Sequence, residues 1–151
     1  MQPYEATPSE IRMRYLREHQ QLRDAASRLV EQARACDCSE LRAPLSQAIS
    51  TLLDELRAHL EREDAALGPV LADIDAWGPQ RVARLREHRR IELARLTEMV
   101  DRLREPLREG PLGPYVLQFV AWIEAELARE ESEELDAGVL RDSPVVDGLD
   151  G

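Results

Sequence analysis

Donor side chains recur at intervals of four residues along this chain of 151 residues. All three histidines belong to the set, and two of them are followed by a glutamate four positions later. Residues four apart lie on nearly the same face of an α-helix, so each such pair directs two donor groups to one place. Imidazoles and carboxylates that converge from several helices are typical of a metal site inside a bundle. The candidate metal ligands are His19, His59, Glu63, His88, Glu92, Glu126 and Glu130.

The composition favours helices and argues against two classes of protein. Charged residues make up 33% and aromatic residues 4% of a chain rich in Leu, Ala, Arg and Glu, which form helices readily. The net charge of −10 argues against a nucleic-acid binder, because a phosphate backbone requires a basic surface. No apolar run approaches the roughly 20 residues of a membrane span, and the polar N-terminus does not resemble a signal peptide. We therefore expect no membrane association.

The two cysteines, Cys36 and Cys38, lie in a predicted loop. Residues two apart are too close for an unstrained disulfide, and an isolated C-x-C is only a weak metal signal. We expect two ordinary thiols in a reducing cytoplasm. The chain has no Lys, and neither these thiols nor any Ser indicates a catalytic nucleophile.

Four helices must position the candidate ligands. The first begins at the capping box Thr7-Pro8-Ser9-Glu10, and the second begins at Ser39 or Pro44 and stops at Gly68-Pro69. A short helical piece is predicted over 70–76. Gly78-Pro79 opens the third helix, with an inner stripe that includes Leu85, His88, Glu92 and Leu96. The fourth helix is predicted over about 115–137, which gives an N-terminal tail of residues 1–7, a bundle of residues 8–137 and a disordered acidic tail of residues 138–151.

The lengths of the helices place the three histidines at one level of an up-down-up-down four-helix bundle. From His19 to the end of its helix is about 16 residues, and from Pro44 to His59 is about 15, which both correspond to roughly 23 Å of helix. About 9 residues separate His59 from Gly68, and about 9 separate Pro79 from His88. The fold class is therefore predicted to be all-α.

The fourth helix lacks a histidine but superimposes on the second by pattern. Aligning His59 with Glu126 also aligns Glu63 with Glu130, and the apolar positions coincide. Glu131 remains an alternative to Glu130 as a ligand. Tyr15 and Trp122, each about one turn from a candidate ligand, could line the pocket.

These residues resemble the hemerythrin family of HHE cation-binding domains, over about residues 8–137. The family places one His on the first helix, H-x-x-x-E on the second and a His on the third, which His19, His59 with Glu63, and His88 match. The segments LRAHLERED and LREH, the latter present twice, are similar to the sequences that surround the metal ligands in this family. Two positions depart from the pattern, because Glu92 and Glu126 stand where the family places further histidines.

The resemblance implies a non-heme centre of two iron ions, or of iron plus manganese, with a bridging oxide or hydroxide. Glu63 and Glu130 would bridge the ions, and His19 and His59 would complete the first. The second would be completed by His88, Glu92 and Glu126. Carboxylate donors favour higher oxidation states and suit manganese, which weakens an oxygen-carrier interpretation.

The leading hypothesis is a di-iron oxidoreductase of the oxidase, oxygenase or peroxidase type that reacts with O2 or peroxide, with a small organic molecule as a possible substrate. The first alternative is a module that binds or senses O2, nitric oxide or iron without turnover. The second is a metal-free helical interaction protein. The pattern does not distinguish iron from manganese or zinc, and it leaves the oligomeric state open.

Overall fold

The structure is a computed structural model that describes residues 5–35, 42–104 and 112–142. All regular structure within these ranges is helical, which confirms the all-α prediction. The elements are α1 (Pro8–Ala35), α2 (Arg42–Ile74), α3 (Gly78–Arg104) and α4 (Leu112–Glu133). Cys36 and Cys38 lie outside the described residues, as do residues 143–151 of the predicted tail.

Consecutive helices are antiparallel, because residue numbers fall on one helix as they rise on its partner. The contacts that show this are Tyr15–Arg62 and Glu18–His59 between α1 and α2, and Arg89–Glu130 and Met99–Tyr115 between α3 and α4. The first helix also runs antiparallel to the fourth, because His19 contacts Glu130 in α4 and Arg12 contacts Leu135 just after it. The result is the predicted up-down-up-down bundle.

The start of α1 is held by the predicted capping box. The backbone N–H of Thr7 donates to Oε2 of Glu10 at 2.9 Å, and the backbone N–H of Glu10 donates to Oγ1 of Thr7 at 3.3 Å. Two of the N–H groups that a helix start leaves unpaired are thereby satisfied. This fixes where the stripe that carries His19 begins.

The second helix is longer than predicted, because it does not stop at Gly68-Pro69. It continues to Ile74 with Pro69 inside it. An interior proline removes a backbone hydrogen bond at a cost of about 3 kcal/mol, which the burial of Leu67 and Leu71 on either side offsets. The predicted separate piece over 70–76 is therefore the last turn of α2.

The turn between α2 and α3 depends on a close backbone approach at Gly78. A Cβ atom on this residue would clash with the carbonyl oxygens of Leu71 and Ala72 at the end of α2. Asp75 completes the turn, since its Oδ1 accepts a hydrogen bond from the backbone N–H of Trp77 at 2.9 Å. Only glycine allows α3 to leave α2 so closely.

Two clusters of buried apolar side chains fill the bundle. The larger cluster extends towards the α1–α2 and α3–α4 connections and includes Leu22, Ile49, Leu56, Leu96 and Phe119. The smaller cluster lies at the opposite end and consists of Ile11, Tyr15, Leu67, Leu71, Leu85, Leu135 and Leu140.

The segment after α4 is part of the folded structure as far as residue 142, which differs from the disordered tail predicted to start at 138. Leu140 is buried in the smaller cluster. Asp142 accepts hydrogen bonds from the backbone N–H of Ser9 at 2.9 Å and from its hydroxyl at 2.5 Å. Among the described helices, none is long and apolar enough to cross a membrane.

Candidate metal centre

A layer of buried polar side chains separates the two apolar clusters. Every helix contributes to it at positions where the sequence passes from one cluster to the other. Buried charged groups are costly unless they pair or bind a cation, so the layer must neutralise itself. Its members, called the polar layer below, are His19, His59, Glu63, Arg89, Glu92, Glu130 and Glu134.

Four members of the polar layer bring one ligand atom each to a common point. The donor atoms of His19, His59, Glu63 and Glu130 all lie within 4.8 Å of one another. Nε2 of His59 is 2.8 Å from Oε2 of Glu63 and 3.7 Å from Oε2 of Glu130. Nε2 of His19 is 3.4 Å and 3.0 Å from the same two oxygens. Two imidazoles and two carboxylates therefore face each other across one small space.

The outward nitrogen of each imidazole lies beside a carboxylate, and that of His59 is hydrogen-bonded to it. Nδ1 of His59 lies 2.8 Å from Oε2 of Glu18, and Nδ1 of His19 lies 3.3 Å from Oε1 of Glu131. A carboxylate on Nδ1 favours the tautomer in which Nε2 offers its lone pair inwards, as in most metal-binding histidines. Tyr15 packs edge-on against His59, with ring centroids 5.8 Å apart. The ring of His59 is thus oriented from behind, whereas Nδ1 of His19 lies near Glu131 without a hydrogen bond.

The donor set fits one metal ion. In the described part of the chain, Nε2 of His59 and Oε2 of Glu130 are buried without a hydrogen-bond partner, although they lie close to oppositely charged groups. Ligand atoms about 2.1 Å from an ion in tetrahedral coordination stand about 3.4 Å apart, which is within the range of the nitrogen–oxygen distances here. Mixed nitrogen and carboxylate donors suit iron, manganese and zinc.

Without a metal ion, protonated imidazoles balance the negative charge of the two carboxylates. Burial would lower the pKa of both imidazoles, but the close contacts with the carboxylates of Glu130 and Glu63 raise the pKa of His19 to about 9 and that of His59 to about 10. Burial opposes ionisation of Glu63 and Glu130, yet the close contacts with the two histidines bring the pKa of each carboxyl below its ordinary value. The carboxylates are thus ready for a cation, and a metal would displace protons from the imidazoles.

Arg89 lies on the other side of the same two carboxylates. Its Nη2 is 3.2 Å from Oε1 of Glu63, and its Nη1 is 3.0 Å from Oε1 of Glu130. It also contacts Glu92 at 3.3 Å and Glu134 at 3.5 Å. Burial would lower the pKa of Arg89, but the surrounding carboxylates, led by Glu130, raise it, so the guanidinium is a permanent cation.

The remaining candidate ligands surround a second arginine, Arg129. Nη1 of Arg129 donates to Nδ1 of His88 at 2.7 Å, and Nε of Arg129 lies 3.3 Å from Oε2 of Glu126. Nη2 of Arg129 donates to Glu92. His88 is 30% exposed and Glu126 24% exposed, whereas Glu92 is buried. Burial, together with the charge of Glu130, raises the pKa of Glu92 to about 9.

The structure thus brings together four of the seven residues predicted as ligands and places the other three against Arg129. Of the two alternatives Glu130 and Glu131, Glu130 lies among the converging donor atoms. Glu131 lies behind His19 and forms a two-pronged ion pair with Arg23 at 2.6 Å. Trp122 lines a surface groove with His88, Glu92, Glu126 and Arg129.

Sequence reasoning missed three residues of the site: Arg89, Glu134 and Glu18. The spacing of Leu85, Arg89, Glu92 and Leu96 contained a signal, because steps of four, three and four also trace one helix face. Glu134 lies four residues after Glu130 and shares its face. The sequence offered no comparable sign that Glu18, beside His19, would reach a histidine of another helix.

Comparison with known families supports this description. A family model for the hemerythrin HHE cation-binding domain matches residues 14–137. Comparison with curated proteins and with solved structures gave no match. The matched segment includes all four helices of the bundle almost completely and every member of the polar layer, and it identifies the bundle as a metal-binding helical module. The chain therefore belongs to the hemerythrin HHE cation-binding domain family.

Proposed function

We propose that the chain is a non-heme metal protein that holds iron, or manganese in its place, and reacts with O2 or peroxide as an oxidoreductase. The metal would be held by His19, His59, Glu63 and Glu130. The observation that supports this is the convergence of four buried donor atoms within 4.8 Å, with His59 oriented from behind by Glu18.

When bound, the metal would supply electrons to O2 or peroxide. The protein's own residues would set the conditions for that reaction. Glu18 would keep His59 in the tautomer that binds metal, and Arg89 would hold the outer oxygens of Glu63 and Glu130. The apolar clusters on both sides would exclude bulk water, which protects reactive oxygen species from side reactions.

A groove beside the polar layer provides a candidate route for small reactants. It has a volume of about 580 Å³ and is lined in part by Ile91, Trp122, Glu126 and Arg129. Glu92 belongs both to this groove and to the polar layer, so the groove reaches the layer's edge. O2, peroxide, nitric oxide or a small organic substrate could approach here.

In the dinuclear form of this proposal, Glu63 and Glu130 would help to hold both ions, and an oxide or hydroxide would complete the centre. The second ion would use His88, Glu92 and Glu126, which would first have to leave Arg129. Binding of O2, nitric oxide or iron without turnover is the variant in which the same site acts as a sensor. Turnover of peroxide or of a substrate distinguishes the enzyme from the sensor.

The first test is metal content. Protein from cells supplied with iron and manganese, and metal-free protein given ferrous iron without oxygen, should each contain at least one ion per chain. His59→Ala should lower this to near zero, because it removes a central ligand, whereas His88→Ala should keep at least one ion. The loaded protein is then mixed with O2 or peroxide while metal oxidation and peroxide loss are followed. An unloaded wild-type protein would contradict the proposal.

A metal-free interaction protein is the second candidate, and one observation favours it. The carboxylates of the polar layer already have cationic partners in Arg89 and Arg129. Such a protein would bind no ion and would keep its stability in the presence of a chelator. The cytoplasmic location of the chain stays a prediction, which rests on the expectation that Cys36 and Cys38 are free thiols.

A further inference from the structure

We infer that Arg89 takes the place of the second metal ion, so that this member of the family builds a centre for a single metal. The inference rests on the proposed metal site formed by His19, His59, Glu63 and Glu130. It concerns what lies on the far side of the two shared carboxylates.

The two shared carboxylates each divide their oxygens between the histidines and Arg89. Oε2 of Glu63 and Oε2 of Glu130 face the imidazoles at 2.8–3.7 Å. Oε1 of Glu63 and Oε1 of Glu130 face the guanidinium at 3.2 and 3.0 Å. A carboxylate that bridges two ions divides its oxygens in the same way. Arg89 therefore receives the half of each carboxylate that a second ion would need.

The other donors available to a second ion are also engaged by guanidinium groups. Glu92 contacts both Arg89 and Arg129, Glu126 contacts Arg129, and His88 accepts a hydrogen bond from Arg129. A metal at this place would have to displace Arg89, whose guanidinium remains protonated and whose side chain is only 5% exposed. It would also have to draw the other donors away from Arg129, which is 22% exposed.

The charge of the polar layer leads to the same conclusion. Four carboxylates bury at most four negative charges: those of Glu63, Glu92, Glu130 and Glu134. Within the layer, Arg89 supplies one positive charge, and one divalent ion at the neutral imidazoles supplies two more. A further divalent ion would turn the balance into an excess of one positive charge even with every carboxylate ionised, and any carboxyl that stays protonated would increase that excess, which is unfavourable in a buried layer.

The experiment counts ions in the wild-type protein and in two variants. Metal-free protein is saturated with ferrous iron without oxygen, freed of excess iron by gel filtration and analysed for iron per chain. We expect about one ion in the wild type and about two in Arg89→Ala, where the outer oxygens of Glu63 and Glu130 become free. Arg90→Ala is the matched control, because Arg90 is 69% exposed and pairs with Glu87 on its own helix; it should keep about one ion.

A second readout does not depend on the variant folding. After oxidation, an isolated ferric ion gives an electron paramagnetic resonance signal, whereas an oxide-bridged pair couples and loses it. The wild type should give the signal in proportion to its iron. Two ions per chain in the wild type would overturn the inference and leave the proposed metal protein intact, whereas no iron at all would refute both. One ion in a folded Arg89→Ala protein would show that Arg89 does not exclude the second and would also overturn the inference.

Discussion

Metal binding should release protons from the two buried imidazoles. In the metal-free protein, the close carboxylates of Glu130 and Glu63 overcome the effect of burial and raise the pKa of His19 to about 9 and that of His59 to about 10. Both rings are therefore protonated at neutral pH, whereas a metal binds the neutral ring. Each proton released per ion makes the apparent affinity rise about tenfold per pH unit, so two protons give about a hundredfold rise per unit between pH 6 and 8.

Calorimetry can count these protons directly. Titration of metal-free protein with Mn²⁺ at one pH, in two buffers with different ionisation enthalpies, gives the number of protons released per ion. We expect about two at pH 7, and a steep gain in affinity when the titration is repeated at pH 8. The His88→Ala variant should give the same count, because His88 lies against Arg129, away from the four converging atoms.

Binding that is tight but independent of pH between 6 and 8 would refute this reasoning. It would mean that both imidazoles are already neutral in the metal-free protein, so that the carboxylates Glu63 and Glu130 do not hold them as cations. Release of about one proton per ion would mean that only one of the two imidazoles is protonated in the metal-free protein.

Two further predictions concern the same layer. The free energy of unfolding of the metal-free protein should fall as pH rises from about 6.5 through the folded pKa values of His19 and His59, which are about 9 and about 10. A group whose pKa is raised by folding contributes its full stabilisation below its ordinary pKa and loses it above the raised pKa, so the fall should be on the order of a few kcal/mol. Chemical denaturation followed by circular dichroism measures this, and a stability that rises over this interval would contradict it. Glu18→Gln should weaken metal binding about 10- to 100-fold, since the carboxylate on Nδ1 of His59 is lost. Competition with a chelator measures the affinity, and Glu61→Gln, at an exposed position, is the control. Equal affinities of the two variants would show that Glu18 does not orient His59.

The helices were largely predictable, because their signals are local. The capping box at Thr7 and the break at Gly78 fix two helix starts through contacts between near neighbours. The stop predicted at Gly68-Pro69 was wrong, since distant packing of Leu67 and Leu71 outweighs the local preference of proline. The C-terminal segment differed for the same reason, because Asp142 reaches Ser9 at the other end of the chain.

The candidate site was predictable only as far as helix phase could be assigned. His19, His59, Glu63 and Glu130 share faces with apolar stripes, and the structure brings them together. On α3 the pattern allowed either His88 or Arg89 to face inwards, because adjacent residues differ by about 100° around the helix. The prediction placed His88 on the inner stripe, whereas the fold places Arg89 in the layer.

The guanidinium of Arg89 among four carboxylates has a consequence for how the protein meets a changing metal supply. Part of the positive charge that the bundle requires is encoded in the gene and arrives with the chain itself. Under the proposed function, this charge would be in place before any metal ion binds. Loss of the ion would then empty the histidine side of the layer, while Arg89 would still pair with the carboxylates on the other side.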